Sequence, residues 1–196
     1  MTAIAIDPDR LKVRPATPAR WSDLETLFGE RGACGGCWCM AWRLRHKDYV
    51  AGKGARNRRA LQKIVARGPA PGLIGYLGRK PVAWCAVAPR TEYAALSRSR
   101  VLAPVDAEPV WSISCLFVLR DCRRRGLSTR MLRAAVEFAA SRGAKIIEGY
   151  PVVPHAERAP DAFLWTGIPS AFRKAGFEQV ARRSASRPIM RAVIRR

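Results

Sequence analysis

The hexapeptide Arg123-Arg124-Arg125-Gly126-Leu127-Ser128 lies between an apolar run, Ile113 to Leu119, and a helical pattern, Leu127 to Arg142. No other feature constrains the fold as much. A strand that enters a helix through a basic, glycine-containing turn is built to face an anion. The first-turn amides of a helix have no carbonyl partners and carry the positive end of its dipole. Gly126 lets a ligand come close to the backbone, and the arginines add charge and forked donors. The turn lacks the Gly-Lys-Ser/Thr ending of a P-loop and is not GxGxxG, which argues against nucleotide hydrolases and dinucleotide enzymes.

Around this unit, strand and helix patterns alternate. Leu11 to Arg14 reads as a short strand, and Thr17-Pro18 starts a helix that runs to Phe28 with proline in its first turn. Gly29 to Gly36 is a loop, and Cys37 to Arg45 is rich in aromatics but shows no clear period. Ala55 to Ala66 predicts a helix striped by Leu61, Ile64 and Val65 and stopped by Gly68. Gly72 to Leu77 and Val82 to Val87 flank a hairpin turn at Gly78-Arg79-Lys80-Pro81. A helical turn at Thr91 to Leu96 leads into an irregular stretch ending at Pro109. Val110 to Leu119 is the central strand. In the helix after it, Leu127, Met131, Ala135 and Phe138 mark the buried face and Gly143 the cap. Ala144 to Val152 is the next strand, a small helix lies near Ser170, and Phe177 to Arg183 with Pro188 to Ile194 closes as a hairpin.

The chain has 196 residues and shows no linker or repeat, so a single domain over residues 1–196 is expected. No apolar run approaches the roughly 20 residues a bilayer requires, so no membrane association is expected. Met1 to Arg10 lacks the apolar stretch of an export signal, so the expected location is cytoplasmic and the six cysteines are expected as reduced thiols. The net charge is +21, which favours acidic partners over polycationic ones. The arginines are spread along the chain, and no aromatic-interleaved RNA motif accompanies them. A solvated basic surface is therefore preferred to nucleic-acid binding, which stays open as an alternative.

Arg123-x-x-Gly126-x-Ser128 resembles the Arg/Gln-x-x-Gly-x-Gly/Ala signature of the GNAT superfamily of N-acetyltransferases, with serine in place of the last small residue. Ser170-Ala171-Phe172-Arg173-Lys174-Ala175-Gly176-Phe177 is similar to the short helix and Gly-Phe turn that open that family's last hairpin. The resemblance spans roughly Leu11 to Ile194. It implies an α/β (α+β) GNAT fold: a mixed, mostly antiparallel sheet of about six or seven strands, about four helices, and a central parallel pair split to admit a cofactor. It also implies acetyl-coenzyme A (acetyl-CoA) as acyl donor and direct transfer to an amine, here an unidentified small one. A homodimer is left open. By position, backbone groups of Leu116, Phe117 and Val118 would pair with the pantetheine arm. Arg123, Arg124, Arg125, Gly126, Leu127, Ser128 and Thr129 would hold the pyrophosphate. Many members carry a tyrosine just before the Gly-Phe turn as the acid for the departing thiolate, and Phe172 stands there in this chain. A non-catalytic acyl-CoA sensor is one alternative that would explain it, and a ribosome-associated protein would explain the charge.

Acetyl transfer needs a neutral amine, hence a route for its proton. Glu148 is the preferred base, being an isolated carboxylate in an apolar strand, with pairing to an arginine as the competing explanation. Tyr150 and Ser170 are the nearest candidate hydroxyls. His46 and His155 are expected at the surface. Cys34-x-x-Cys37-x-Cys39 has no second CxxC to complete a zinc site, so no metal is expected and a packed wall of thiols and aromatics is preferred. In the family this segment borders the acceptor site. Trp38, Met40 and Trp42 are accordingly the candidate substrate-binding residues, with Arg43 or Arg45 available for an acidic group.

Overall fold

Seven strands form one sheet in the order β1-β2-β3-β4-β5-β7-β6 in the computed structural model of the chain, which describes residues 7–154 and 163–195. The strands are β1 (Lys12–Pro15), β2 (Gly72–Leu77), β3 (Lys80–Pro89), β4 (Trp111–Val118), β5 (Ile146–Gly149), β6 (Glu178–Arg182) and β7 (Pro188–Val193). The helices are α1 (Trp21–Phe28), α2 (His46–Ala51), α3 (Ala55–Arg67), α4 (Leu127–Ser141) and α5 (Pro169–Lys174). Each neighbouring pair of strands is antiparallel except β4 with β5. This is the mixed, mostly antiparallel sheet with one central parallel pair that the sequence predicts. Helix α2 is the unforeseen element: six residues with no side-chain cap and no buried residue give little sequence signal.

Strand alternation divides the core between the two sheet faces. On one face Leu127, Met131, Ala135 and Phe138 of α4 pack on Leu73, Ala83, Cys85, Val87 and Ile113. On the other, Ile74, Trp84, Ala86 and Cys115 meet Leu24, Leu27 and Phe28 of α1 and Leu61 and Val65 of α3. A third cluster lies under the loop between β3 and β4, where Tyr93, Leu96 and Leu102 cover Ala88, Tyr150 and Ile189.

Strand β5 is shorter than the predicted Ala144 to Val152, and the cause sets up the site. Strands β4 and β5 pair only from Trp111 to Ile113 with Ile147 to Gly149. Next to this seam β4 carries a bulge at Ser114, since its register on β3 jumps from Val87↔Ile113 to Ala86↔Cys115. Beyond the bulge the two strands part, and the tripeptide Trp165-Thr166-Gly167 lies between them. Leu116 N–H donates to the Trp165 carbonyl at 2.7 Å, and Val152 N–H donates to the Gly167 carbonyl at 2.9 Å. Gly167 has φ +84, and a Cβ there would stand 2.9 Å from both Leu116 Cδ1 and Phe172 Cε2. Only glycine suits that wedge, by backbone angle and by space.

Candidate active site

Above the wedge the split opens into a groove of about 800 Å³ that runs from β4 to the start of α4. Nine of the ten cofactor residues expected from sequence line it: Leu116, Phe117 and Val118 on β4, then Arg123, Arg124, Gly126, Leu127, Ser128 and Thr129. Arg125 is outside that lining. Sequence reasoning missed the opposite wall, formed by Ala33, Cys34, Trp165, Ile168 and Lys174. Lys174 had a readable signal, as a cation at the end of the small helix facing the basic turn. The wedge residues had none.

The geometry of the turn follows from its two left-handed residues, Arg124 at φ +60 and Gly126 at φ +77. They fold the chain back so that α4 starts at Leu127 with Gly126 as N-cap. No side chain caps that end, and its first turn holds no acid. Its first-turn residues line the groove together with Arg123, Arg124 and Lys174. Arg123 Nε donates to the Val118 carbonyl at 2.9 Å, tying the turn to the end of β4. Leu116 N–H points into the split, so strand alternation turns the Val118 amide the same way.

Glu148 and Tyr150 lie outside the groove lining, in a buried network at the closed end of the split. Glu148 sits on β5 directly across from Ser112 of β4 and Arg191 of β7. It is 1% exposed. Its Oε1 accepts from Arg191 Nε at 3.0 Å and Nη2 at 2.7 Å, and its Oε2 accepts from the Tyr150 hydroxyl at 3.2 Å with Arg90 at 3.9 Å. The Tyr150 hydroxyl accepts from Arg90 at 2.5 Å and lies 2.7 Å from Ser112 Oγ. Burial first, and then the Glu148 charge, push the Tyr150 phenol up, so it stays protonated. Arg191 also grips Asp106 through both terminal nitrogens, and Arg90 donates to the carbonyls of Leu96 and Leu102. These arginines lash the β3–β4 loop to the sheet; they are not solvated surface. Arginine pairing, weighed against general-base action for Glu148, is the role this geometry favours.

Phe172 is fully buried, edge-on to Phe177 at 5.1 Å and packed over Gly149 where no side chain would fit. It presents hydrocarbon at the position where the resemblance implied an acid. Trp38 and Met40 also point inward. Trp38 stacks on Trp21 at 6.1 Å and meets Phe28 edge-on, and Met40 is 2% exposed. Of the three candidate acceptor residues only Trp42 reaches the wedge, where its ring meets that of Trp165 at 5.9 Å. The path from Gly29 to Cys39 has repeated left-handed residues, including Ala33, Trp38 and Cys39. That explains why Cys37 to Arg45 showed no period. Its thiols are all free: Cys39 accepts from Trp84 Nε1 at 3.2 Å, and contact with the Cys115 thiol draws its pKa down. Among the described residues no group of three His, Cys, Asp or Glu is placed to hold a metal. His46 is exposed at the start of α2, Ser170 lines the groove, and His155 lies outside the described residues.

Comparison with known proteins agrees with this architecture. Among solved structures the chain is similar to the PaiA N-acetyltransferase of Thermoplasma acidophilum in complex with coenzyme A, at 11% identity over 94% of this chain and 99% of that one, with a TM-score of 0.54. It is similar to the Drosophila melanogaster polyamine N-acetyltransferase, an enzyme that forms N-acetylagmatine, at 11% identity over 94% and 99%, TM-score 0.54. A mosquito arylalkylamine N-acetyltransferase-like protein matches at 13% identity over 94% and 100%, TM-score 0.57. At these identities the likeness is one of fold. No curated protein matches the sequence. The sequence profile of the Acetyltransferase (GNAT) family matches residues 38–161, more than half of the chain. With the split sheet and the basic turn at the start of α4, that match means that the chain belongs to the GNAT family of acetyltransferases.

Proposed function

We propose that this protein takes an acetyl group from acetyl-CoA and passes it directly to a small amine. The observation that carries the reading is the continuity of the groove: one channel joins the open edge of β4 to the uncapped, acid-free start of α4. A coenzyme A molecule has that polarity. Its pyrophosphate would lie on the amides of Gly126 to Thr129 with Arg123, Arg124 and Lys174, and its pantetheine arm would follow Leu116 to Val118. Leu116 N–H is already given to Trp165, so the arm's pairing with β4 would begin at the Val118 amide. The thioester would then sit on the groove side of the wedge, near Leu116 and Gly167.

The residues around that point divide the work. Glu148 and Tyr150 act as positioning residues, fixing β5 against β4 and β7 so that the split keeps its width. With Phe172 unable to donate a proton, the leaving thiolate would be protonated by solvent or by the proton that the attacking nitrogen, neutral before attack, sheds as the amide forms. A carboxylate at residue 126 tests the reading. In Gly126→Asp a negative charge stands where the pyrophosphate would lie, and calorimetry should show acetyl-CoA affinity lowered by at least about a hundredfold, since a like charge replaces a charge-assisted contact. Equal affinity in the two proteins would overturn the assignment of the groove. Binding without turnover on any amine would favour the acyl-CoA sensor.

A further inference from the structure

Cys34-Gly35-Gly36-Cys37 is a motif for which acetyl transfer has no use. It folds as a tight turn. Cys37 N–H donates to the Cys34 carbonyl at 3.1 Å, and the two central residues are left-handed, Gly35 at φ +54 and Gly36 at φ +74. Two successive positive φ angles mark the mirror-image turn that glycine pairs favour, and such a turn holds its end Cα atoms within about 7 Å. A disulfide spans Cα separations of roughly 4.4–6.8 Å. One acceptor also draws the two residues together. The Gly32 carbonyl takes Cys34 N–H at 3.0 Å and the Cys37 thiol at 3.5 Å, so a single oxygen separates the Cys37 sulfur from the Cys34 backbone. Cys34 is exposed, which leaves its own sulfur free to rotate towards that point.

The turn is pinned on its far side. Gly36 N–H donates to the Arg31 carbonyl at 2.7 Å, and the Gly36 carbonyl accepts from Gly54 N–H at 2.9 Å and from Asn57 Nδ2 at 3.4 Å. A Cβ on Gly36 would stand 2.4 Å from the Gly54 nitrogen, so glycine is required there by space as well as by angle. The near side opens on the groove, whose wall includes Ala33 and Cys34. Ala33 N–H donates to the Phe28 carbonyl at 2.8 Å, and the Phe28 ring meets Phe117 edge-on at 5.9 Å. This wall is therefore anchored beside the stretch of β4 assigned to the pantetheine arm. The two thiols differ in setting: Cys34 is exposed, while burial, above all, pushes the half-buried Cys37 thiol up. The nearby Cys39 is turned away, towards Trp84. An exposed thiol on a cavity wall with a second thiol held behind it is what thiol–disulfide exchange needs, since one sulfur attacks and the other resolves the mixed disulfide.

We infer that Cys34 and Cys37 form a thiol–disulfide exchange pair, and that its substrate is a disulfide of coenzyme A brought to Cys34 by the groove. The inference rests on the coenzyme A reading of the groove given above. The Cys34 thiolate attacks one sulfur of the disulfide. That S–S bond breaks, a Cys34–coenzyme A disulfide forms, and the other half leaves as a thiolate that takes up the proton Cys34 gave up. The Cys37 thiolate then attacks the Cys34 sulfur, which releases the second coenzyme A with the Cys37 proton and leaves Cys34 and Cys37 bridged. Two electrons pass from the pair to the substrate, which ends as two thiols, and no further reactant is consumed.

Reduced protein mixed with coenzyme A disulfide tests this, with released coenzyme A followed by chromatography and the protein by mass spectrometry. One equivalent of disulfide should be consumed per chain, and peptide mapping should find a bridge between Cys34 and Cys37. In Cys37→Ser the reaction should stop with one coenzyme A attached at Cys34, and Cys37→Ala should give the same trapped species, so the test does not depend on one variant folding. Cys34→Ser, a change at an exposed position, should yield neither product. Coenzyme A disulfide should react about tenfold or more faster than glutathione disulfide, a small part of what positioning in a site supplies. Acetyl-CoA has the same arm and pyrophosphate but no disulfide, and at roughly ten times its Kd it should slow the exchange by about tenfold. Equal rates with the two disulfides, a bridge between other cysteines, or no reaction overturns the inference. So does acetyl-CoA that binds by calorimetry without slowing the exchange, in which case Cys34 reacts from outside the groove and the transferase reading stands. If acetyl-CoA neither binds nor protects, both readings fail. If no amine turns over but the preference and the protection hold, the transferase reading fails and the exchange pair stands.

Discussion

Replacing Gly167 by alanine probes the wedge that closes the split, and the structure sets the size of the effect. Two penalties arise at that position. With φ at +84, an L-residue meets its own following carbonyl, which costs about 1–2 kcal/mol. The added methyl also enters a packed space, 2.9 Å from Leu116 Cδ1 and 2.9 Å from Phe172 Cε2. Neither neighbour yields easily, since Leu116 is held through its amide by Trp165 and Phe172 is fully buried. Overpacking of this kind costs about 1–3 kcal/mol. Gly143→Ala supplies the control: its φ is +81, yet a methyl there meets nothing within 4 Å, so only the backbone penalty applies. Urea unfolding of both variants beside the parent should show Gly143→Ala losing about 1–2 kcal/mol and Gly167→Ala about 3 kcal/mol or more. In a thermal melt the second loss corresponds to a shift of roughly 6–12 °C for a chain of this size. Equal losses in the two variants would refute the reasoning, because the wedge would then have room for a side chain and the split would be looser than described.

The buried network yields two further tests. Glu148→Gln leaves the Arg191 and Arg90 guanidiniums short of a buried carboxylate and should destabilise the protein by about 3 kcal/mol, the scale for breaking one side of a buried pair. Acetyl-CoA affinity should be unchanged. A stable variant with turnover down about a hundredfold would make Glu148 the base instead. Asp106 carries a pH signature. The hydrogen bond from Arg191, above all, holds its carboxyl below the ordinary carboxylate range. Its folded value is thus lower than its unfolded one, so its contribution to stability is complete at neutral pH and is lost as pH falls through and below that range. The stability gap between the parent and Asp106→Asn should therefore close in acid; a gap that widens there would contradict the assignment.

The parts of this protein that were legible in its sequence are those whose cause is local. Helix α4 announces itself through Leu127, Met131, Ala135 and Phe138 at helical spacing, and the turn before it through Gly126 and three arginines. The β2–β3 hairpin is written in Gly78 and two apolar runs. The features that were not legible depend on partners distant in sequence. The end of β5 is decided by Trp165, which takes the Leu116 amide across the split, and nothing in the composition of Trp-Thr-Gly indicates a strand-like insertion. The pairing of Glu148 with Arg191 was open on sequence alone because it needs the β5–β7 register. Left-handed backbone at Ala33, Trp38 and Cys39 hid the course of the acceptor-side loop, since those residue types give no sign of it. The stacking of Arg43 on Tyr93 joins two separate segments and exists only once the chain has folded.

The brevity of the parallel seam bears on how the protein opens. Strands β1 to β4 and strands β5 to β7 share three register pairs, Trp111 with Ile147, Ser112 with Glu148 and Ile113 with Gly149. Backbone pairing across the sheet is therefore weakest along one line, while each side of it keeps long antiparallel ladders. Cooperative opening units tend to follow such lines. The carboxy-terminal strands with α5 are then the block able to detach as a unit, held back by the Arg191–Asp106 ion pair, the Tyr150 hydroxyl's contacts with Arg90 and Ser112, and the Leu116–Trp165 backbone bond. In native-state hydrogen exchange the amides of β5 to β7 would share one opening free energy, lower than that of β2 to β4. A bound cofactor, in contact with β4, α4 and the wedge at once, would raise the lower value towards the higher, so occupancy of the groove would be read out as protection of strands it does not touch.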